Sequence, residues 1–164
     1  PGMRLNEALI AAAKKAGVRF VSGAKVVGIV TEGDRVVSVG QATAGRIRQY
    51  EADAFVYAPG GFESGALAMD SYGTVTDTVF GLPLVGLGED LVTADSPADQ
   101  ALFRVGVGVD PGMRVVDETG HVPYRNLYAA GGILAGAIRW TEKSGEGIAL
   151  ASAVTAADSI LKGA

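Results

Sequence analysis

The chain has 164 residues, of which 48% are hydrophobic and 20% are charged, a composition typical of a globular protein and not of a disordered one. Its formal net charge is −4 and its basic residues are scattered, so nucleic-acid binding is not expected. It has no cysteine, one histidine and no apolar run as long as a membrane span, which argues against disulfides, a metal site and direct membrane insertion. We expect a cytoplasmic protein, and because the chain begins with Pro1-Gly2 we interpret it as a piece of a longer one.

The first predicted elements are a helix and a short strand. Apolar residues recur at helical spacing from Leu5 to Ala16, and Gly17 is a typical residue just beyond a helix end, so a helix is predicted from Met3 to Ala16. The run Val18-Arg19-Phe20-Val21 is predicted to be a strand. A helix followed directly by a strand is typical of the second half of a βαβ unit.

Three β-rich runs then predict an antiparallel meander, because Glu32-Gly33-Asp34 between the first two is a hairpin signal. The runs are Lys25–Thr31, Arg35–Gly40 and Arg46–Glu51. The apolar run Ala54–Ala58 predicts a strand that is buried on both faces and ends at Pro59-Gly60-Gly61.

The periodicity weakens between Tyr72 and Arg104, so this segment is predicted to be an inserted cap on the substrate side, packed apart from the sheet. Strand composition returns at Val105–Val109 and Met113–Val116. The chain is therefore predicted to divide into one domain, formed by residues 1–71 and 105–164, and an insert within it, formed by residues 72–104.

The last third is predicted to contain a buried strand and a helix. The strand Asn126-Leu127-Tyr128-Ala129-Ala130 ends at Gly131 and Gly132. After a charged loop, Ser144-Gly145-Glu146-Gly147-Ile148 opens a helix of small residues from Ala149 to Leu161. The expected fold class is α/β, or α+β for this piece by itself.

Two strands are thus predicted to end in paired glycines, Gly60-Gly61 and Gly131-Gly132. If the strands are parallel neighbours, their carboxyl ends meet at one edge of a sheet, where glycines let a cofactor approach without colliding with a Cβ. The alternative is that each pair is only a tight turn. Because the pattern occurs twice, with a meander and an insert between, we favour the cofactor interpretation.

The start of the final helix is a second candidate part of the same site. Gly145-Glu146-Gly147 is not a dinucleotide-binding fingerprint, since Leu150 stands where that motif needs glycine or alanine. The N–H groups from Ser144 to Ile148 instead favour an anionic or electron-rich ligand, because a helix start has unpaired amides and the positive end of the dipole. Three basic residues are candidates for a substrate phosphate, although each is more often a solvated surface charge: Arg139, Lys143 and Arg114.

The glycine-ended strands and the small-residue helix resemble the C-terminal half of flavoproteins of the fumarate reductase and glutathione reductase superfamily. More closely, three stretches resemble the B-subunit family of the anaerobic glycerol-3-phosphate dehydrogenases: Gly61-Phe62-Glu63-Ser64-Gly65-Ala66-Leu67, Val105-Gly106-Val107 with Arg114, and Asn126 to Gly136. The resemblance covers most of the chain and is weakest at residues 72–104. It implies a flavin-binding, Rossmann-like domain whose N-terminal strand–helix unit, which holds the phosphates of the cofactor, is missing from this chain.

The same resemblance implies a flavin, FMN or FAD, in the full-length protein but not in this piece, which is expected to be inactive alone. Its implied contacts are the two glycine pairs and residues Ser144 to Ile148. Many superfamily members have an acidic residue at the position of Gly132, and its absence here weighs against strong FAD binding. The implied activity is oxidation of sn-glycerol 3-phosphate to dihydroxyacetone phosphate, with electrons passed to quinone.

The implied partners are a catalytic flavoprotein subunit and a membrane-associated iron–sulfur subunit, which would hold the protein at the inner face of the membrane. Two other functions stay open. One is a non-catalytic, flavoprotein-like scaffold that binds a catalytic partner, and the other is a different fumarate-reductase-like oxidoreductase. The retained glycines favour a cofactor, whereas the missing acidic residue favours a scaffold.

Overall fold

The computed structural model describes residues 2–88, 91–94, 100–137 and 142–163. Helices α1 and α2 are Gly2–Lys15 and Gly145–Gly163. The strands, β1 to β10 in chain order, are Lys25–Glu32, Arg35–Thr43, Arg46–Glu51, Phe55–Tyr57, Leu67–Met69, Val75–Asp77, Leu84–Val85, Gly106–Val109, Val115–Val116 and Leu127–Ala129. Short 3-10 turns lie at Phe62–Ser64, Ala101–Arg104 and Gly131–Ile133. This mixture of helix and strand agrees with the expected class, while the larger Rossmann-like sheet stays a prediction. Neither described helix has both the length and the apolar character that crossing a membrane requires.

Helix α1 is confirmed, and it ends at a glycine as predicted. Gly17 has a φ of 85°, its N–H donates to the Lys14 carbonyl at 3.0 Å, and the Val18 N–H donates to the Ala13 carbonyl at 3.0 Å, which closes the last turn. None of the residues of the helix is buried.

The strand predicted at Val18-Arg19-Phe20-Val21 is wrong. This segment pairs with no strand among the described residues, and its three apolar side chains are 49% to 51% exposed. A run of β-branched and aromatic residues favours a strand only where a neighbouring strand can accept its hydrogen bonds.

Strands β1, β2 and β3 form an antiparallel sheet in that order, which confirms the predicted meander. The central strand, β2, buries the polar side chains of Ser38 and Gln41. Ser38 Oγ donates to Gln49 Oε1 at 3.0 Å, and Tyr50 Oη donates to Gln41 Oε1 at 3.0 Å. Because buried polar groups are costly without partners, these bonds hold β3 against β2.

Strands β4 and β10 pair in parallel, with Phe55 opposite Leu127 and Tyr57 opposite Ala129. The prediction that the glycine-ended strands are parallel neighbours is therefore confirmed. Strand β10 is buried along its whole length, whereas Val56 in the middle of β4 is 46% exposed. The predicted burial of β4 on both faces is wrong, because Val56 borders an open apolar cleft.

The side chain of Asn126 joins the meander to this parallel pair. It is buried, and its Oδ1 accepts a hydrogen bond from the Val36 N–H at 2.9 Å. Its Nδ2 donates to the carbonyls of Val36 and Asp53 at 2.8 and 3.0 Å. The carbonyl of Asn126 also accepts from the Phe55 N–H at 2.9 Å. One amide side chain thus pairs with both backbone groups of Val36 on β2, as the backbone of a neighbouring strand would. It also bonds to Asp53, just before β4.

The segment 72–104 does not pack apart from the sheet. Its buried side chains belong to the same hydrophobic cluster as those of β4 and β10: Val75, Leu82, Leu84 and Leu91. Strand β7 also pairs antiparallel with β8. The predicted separation is wrong because irregularly spaced apolar residues can still fill a core. A role on the substrate side, and the boundaries at residues 71 and 104, stay predictions.

Asp77 attaches this segment to β4. Its Oδ1 accepts from the Tyr57 hydroxyl, and its Oδ2 accepts from the N–H groups of Phe80 and Leu82 at 3.3 and 3.1 Å. The rings of Tyr57 and Phe80 stack with their centroids 4.4 Å apart. Burial, together with the hydrogen bond to Asp77 and its negative charge, raises the pKa of Tyr57. The tyrosine therefore stays protonated and remains the donor of this bond.

At Gly106, strand β8 runs closely alongside the segment that follows β10, and the next residue, Val107, forms an isolated parallel bridge with Leu134. A Cβ at Gly106 would overlap the Ile133 carbonyl oxygen and would lie 2.8 Å from the Ala135 nitrogen. Because both are backbone atoms, neither can rotate away as a side chain can. The close approach of β8 to the chain beyond the second glycine pair therefore requires glycine at 106.

Replacing Asn126 by alanine is expected to lower the free energy of unfolding of the full-length protein by at least about 2 kcal/mol, because the N–H and carbonyl of Val36 lose their buried partner. Urea unfolding followed by circular dichroism measures the change. Asn6→Ala is the matched control, since Asn6 is exposed on α1 and its loss should change the same free energy by less than about 0.5 kcal/mol. Equal effects of the two substitutions would contradict the role assigned to Asn126.

Gly106→Ala should destabilise the protein by about 1–3 kcal/mol, because the backbone of Ile133 to Ala135 alongside it must move to admit a methyl group. Gly28→Ala is its control, since Gly28 also lies in a strand but a Cβ there meets nothing within 4 Å among the described atoms. Thermal unfolding of both variants measures the difference. A Tm of Gly106→Ala equal to that of the unsubstituted protein would show that the two backbone segments are not packed tightly at this point.

Candidate functional site

The parallel pair brings the two glycine pairs to one place, which we call the glycine edge: Gly60, Gly61, Gly131 and Gly132. The Ala130 N–H donates to the Tyr57 carbonyl at 3.1 Å, so the strands stay paired up to the second glycine pair. Gly61 and Gly132 line one cleft of about 10 Å³, which has room for a water molecule but not for a ring system. The glycine edge is therefore a surface and not a deep cavity.

The surroundings of the glycines at positions 60 and 131 differ. Both have positive φ angles, 90° and 75°. At Gly60 a Cβ would overlap Ser64, whose Oγ donates to the Gly61 carbonyl at 2.9 Å, so the turn itself requires glycine. At Gly131 a Cβ would meet no described atom within 4 Å. The missing side chain at Gly131 thus leaves open space beside the backbone.

The start of α2 presents three backbone N–H groups that have no acceptor among the described residues: those of Gly145, Glu146 and Gly147. The Ile148 N–H donates to the Ser144 carbonyl at 2.9 Å and is therefore engaged. The Ser144 hydroxyl donates to Glu142 Oε2 at 2.8 Å, and so turns away from the helix. This start is open to a ligand and favours negative charge through its amides and the helix dipole.

Ser152, which sequence reasoning did not identify as a site residue, links α2 to the glycine edge. Its buried hydroxyl accepts a hydrogen bond from the Gly131 N–H at 2.9 Å and donates to the Ile148 carbonyl at 2.6 Å. The Gly131 N–H is therefore engaged within the protein. In the sequence, the available signal was that Ser152 lies four residues before Ala156 and therefore on the same helix face. The structure shows that both residues are buried.

Arg114 lies against β10, where it forms an isolated antiparallel bridge with Tyr128, and its role toward a substrate phosphate stays a prediction. Its Nε donates to Asp110 Oδ2 at 2.8 Å. A Cβ on the neighbouring Gly112 would lie 3.1 Å from Ser159 Oγ, which places this loop against the far part of the helix. Ser159 is about 21 Å along α2 from Gly145, at about 1.5 Å per residue. The sequence identified Arg114 as a basic residue but did not identify Asp110 as its ion-pair partner.

The carboxyl group of Asp110 stays ionised and holds Arg114 in this position. Burial tends to raise its pKa, but the hydrogen bonds from the Arg114 and Gly112 N–H groups and the Arg114 guanidinium outweigh burial and lower the pKa below its ordinary value. The ion pair is therefore present at neutral pH.

The other two basic candidates have different outcomes. Lys143 is exposed and lies two residues before Gly145, with a φ of 51°. It therefore stays a candidate by its place in the chain. Arg139 lies outside the described residues.

A second concave surface, an apolar cleft of about 300 Å³, lies beside β4. Its walls are apolar side chains of β1, β2 and β4, with Val79 and Phe80 from the segment that follows β6. Sequence reasoning missed it because its walls come from four separate stretches of chain. No charged residue among those that the structure describes lines it, and we do not include it in the candidate site.

Comparisons with known proteins agree with the resemblance seen in the sequence. Residues 1–96 match the model of a family described as FAD binding domain. The chain is 31% identical over 158 residues to proteins of two Halobacterium salinarum strains, R1 and NRC-1, each named as the probable B subunit of an anaerobic glycerol-3-phosphate dehydrogenase. The matches cover 95% of this chain and 37% of each relative, so the chain spans little more than a third of their length. No solved structure matches it.

The matched region of the family model contains α1, the meander, β4 and the first glycine pair, which is more than half of the chain. The halobacterial relatives also confirm the resemblance to the B subunit of anaerobic glycerol-3-phosphate dehydrogenase. The chain therefore belongs to the FAD-binding domain family of flavoproteins.

Proposed function

We propose that the full-length protein is the flavin-dependent B subunit of an anaerobic glycerol-3-phosphate dehydrogenase, and that its flavin lies against the glycine edge and the start of α2. The family match supports the cofactor, and the 31% identity over 95% of the chain supports the assignment to this subunit. The observation that carries the site is the parallel register of β4 and β10, which brings both glycine pairs to one edge.

The residues at this edge fit a flat, electron-rich group. A Cβ at Gly131, Gly145 or Gly147 would meet no described atom within 4 Å, so the backbone there can approach a ring. The N–H groups of Gly145, Glu146 and Gly147, which have no acceptor within the described ranges, can donate to ring carbonyl oxygens. FMN and FAD satisfy these contacts equally, because both have the same ring system.

The described residues supply only part of the binding free energy. A helix start contributes about 0.3–2 kcal/mol to the binding of an anion, whereas a micromolar Kd corresponds to about 8 kcal/mol. The relatives are much longer than this chain, and the match covers 37% of their length. We therefore expect residues 1–164 by themselves to hold flavin weakly and to be inactive.

A bound flavin supplies the hydride acceptor for oxidising an alcohol to a ketone. The contribution of this chain is electrostatic. The amides at the start of α2 and the helix dipole favour negative charge beside them, so they raise the reduction potential of a group that becomes anionic on reduction. The glycine edge contributes access, because it has no side chains to hold the ring away.

The proposed substrate is sn-glycerol 3-phosphate, oxidised to dihydroxyacetone phosphate, with electrons passed to quinone. The name of the relatives, which are B subunits of this dehydrogenase, supports both the substrate and the existence of partner subunits. We propose a catalytic flavoprotein subunit and a membrane-associated iron–sulfur subunit as those partners, on the cytoplasmic face of the membrane. Lys143, Arg139 and Arg114 stay candidates for the substrate phosphate, and Arg114 is paired with Asp110.

A non-catalytic scaffold is the second candidate function, favoured by the engaged N–H of Gly131 and by glycine at 132. The visible absorption spectrum of the purified full-length protein distinguishes the two. A flavin spectrum, with FMN or FAD released on denaturation, would support the oxidoreductase. A colourless protein that still assembles with its partner subunits would support the scaffold. Turnover of fumarate but not of glycerol 3-phosphate would indicate a different flavoprotein oxidoreductase.

Gly145→Val in the full-length protein is expected to weaken flavin retention sharply and to lower the midpoint potential, with the fold preserved. The side chain would enter the open space at the helix start and displace the N–H groups there. Losing one hydrogen bond to a charged group costs about 1.5–3 kcal/mol, and the reduced, anionic form should lose more than the oxidised form. The flavin-to-protein ratio and a redox titration followed by visible absorbance measure both effects.

Gly33→Ala is the control for this substitution. Gly33 has a φ of 57° and lies in the turn between β1 and β2. The next residue, Asp34, accepts a hydrogen bond from the Arg125 N–H, at the end of β10 opposite the glycine edge. Alanine there should cost about 1–2 kcal/mol of stability through left-handed strain and leave the flavin unaffected. Equal flavin content and potential in Gly145→Val and the unsubstituted protein would mean that the helix start has only a structural role.

A further inference from the structure

Ser152 forms three hydrogen-bond contacts through its hydroxyl, with the Gly131 N–H, the Ile148 carbonyl and, at a longer 3.4 Å, the Ala149 carbonyl. It is 6% exposed, at the contact between α2 and the turn after β10. Its hydroxyl has one proton, which it donates to the Ile148 carbonyl at 2.6 Å. Its oxygen can therefore meet the Gly131 N–H, 2.9 Å away, only as an acceptor. One buried oxygen atom thus connects the helix to the first glycine of the second pair.

The two residues before Gly132 are held by different elements. The Ala130 N–H donates to the Tyr57 carbonyl on β4 at 3.1 Å, and the Gly131 N–H donates to Ser152 on α2 at 2.9 Å. Gly131 has a φ of 75°, so the chain turns sharply at this point. Gly132 comes next and lines a cleft together with Gly61. Anchoring Gly131 therefore determines how Gly132 lies relative to the first glycine pair.

Thr155, three residues further along α2, shows what is specific to Ser152. Its Oγ1 donates to the Ala151 carbonyl at 2.9 Å, which is the same kind of bond to the residue four positions earlier. Among the described residues, its hydroxyl bonds to no other element. The bond within the helix is common to both side chains, whereas the bond to the glycine edge belongs to Ser152.

We propose that Ser152 is the positioning residue of the flavin site, an inference that rests on the proposed flavin function. Its hydroxyl holds the turn at Gly131 against α2. The same oxygen bonds the Ile148 carbonyl, and the Ile148 N–H bonds the Ser144 carbonyl at 2.9 Å. The glycine edge and the helix start are therefore held in one fixed relation. Ser152 acts through Gly131 and needs no contact with the flavin itself.

The test is Ser152→Ala in the full-length protein, with Thr155→Ala as the control on the same helix. The apoprotein is titrated with FMN and with FAD, and binding is followed by flavin fluorescence. Ser152→Ala should raise the Kd about tenfold, the size expected for one lost hydrogen bond, while Thr155→Ala leaves it unchanged. The visible circular-dichroism band of the bound flavin should change only in Ser152→Ala. Urea unfolding reports the stability of each variant separately.

Ser152→Cys is a second variant, which nearly preserves the side-chain volume but leaves a weaker hydrogen-bond acceptor. The flavin Kd of this variant should therefore lie between those of the unsubstituted protein and Ser152→Ala. Flavin affinity and dichroism equal to those of Thr155→Ala in both position-152 variants would overturn the proposal. Failure of both variants to fold would also overturn it, by making the role structural alone. If the unsubstituted protein binds neither FMN nor FAD, the flavin function itself fails. If it binds flavin and Ser152→Ala matches the control, only the positioning role fails.

Discussion

The hydrogen bonds of the Asn126 side-chain amide are the interaction on which the rest of the structure depends. The amide bonds both the N–H and the carbonyl of Val36, and also the carbonyl of Asp53, from a buried position. A parallel pair with three residues in each strand is too small to be stable alone, and a buried amide requires partners. The meander therefore supports β4 and β10 at their first residues.

The register of this short pair organises the candidate site. Because Tyr57 lies opposite Ala129, the two glycine pairs follow at the same edge, and a shift by one residue would turn the buried side chains of β10 to the other face. The backbone groups at this edge then divide into two sets. The N–H groups of Gly131 and Ile148 are used to hold the turn and the helix, whereas those at the first three positions of α2 have no acceptor in the part of the chain that the structure describes. In the proposed function the glycine edge would contribute access to a ligand, and the helix start would contribute electrostatic attraction.

The sequence by itself determined the elements whose signals are local. Helical spacing with Gly17 predicted α1, and turn residues between β-rich runs predicted the meander, because residues within a few positions of each other decide both structures. The repeated ending of a strand in two glycines predicted the parallel pair. The same stretches carried the resemblance to flavoproteins, which the family match confirmed. The roles of the site residues in binding a flavin stay predictions.

Only the tertiary structure decided which residues meet across the chain. Composition suggested a strand at 18–21 and a separate segment at 72–104, but hydrophobic composition does not specify which residues a segment packs against. The segment 18–21 pairs with no strand among the described residues, whereas the apolar side chains of 72–104 lie in the core. Arg114 is basic in any context, but only the fold brings it into an ion pair with Asp110. In the sequence Ser152 is one small helix residue among many, whereas in the fold its oxygen lies 2.9 Å from an amide 21 positions earlier. Such hydrogen bonds depend on distances in the folded chain, which spacing along the sequence does not encode.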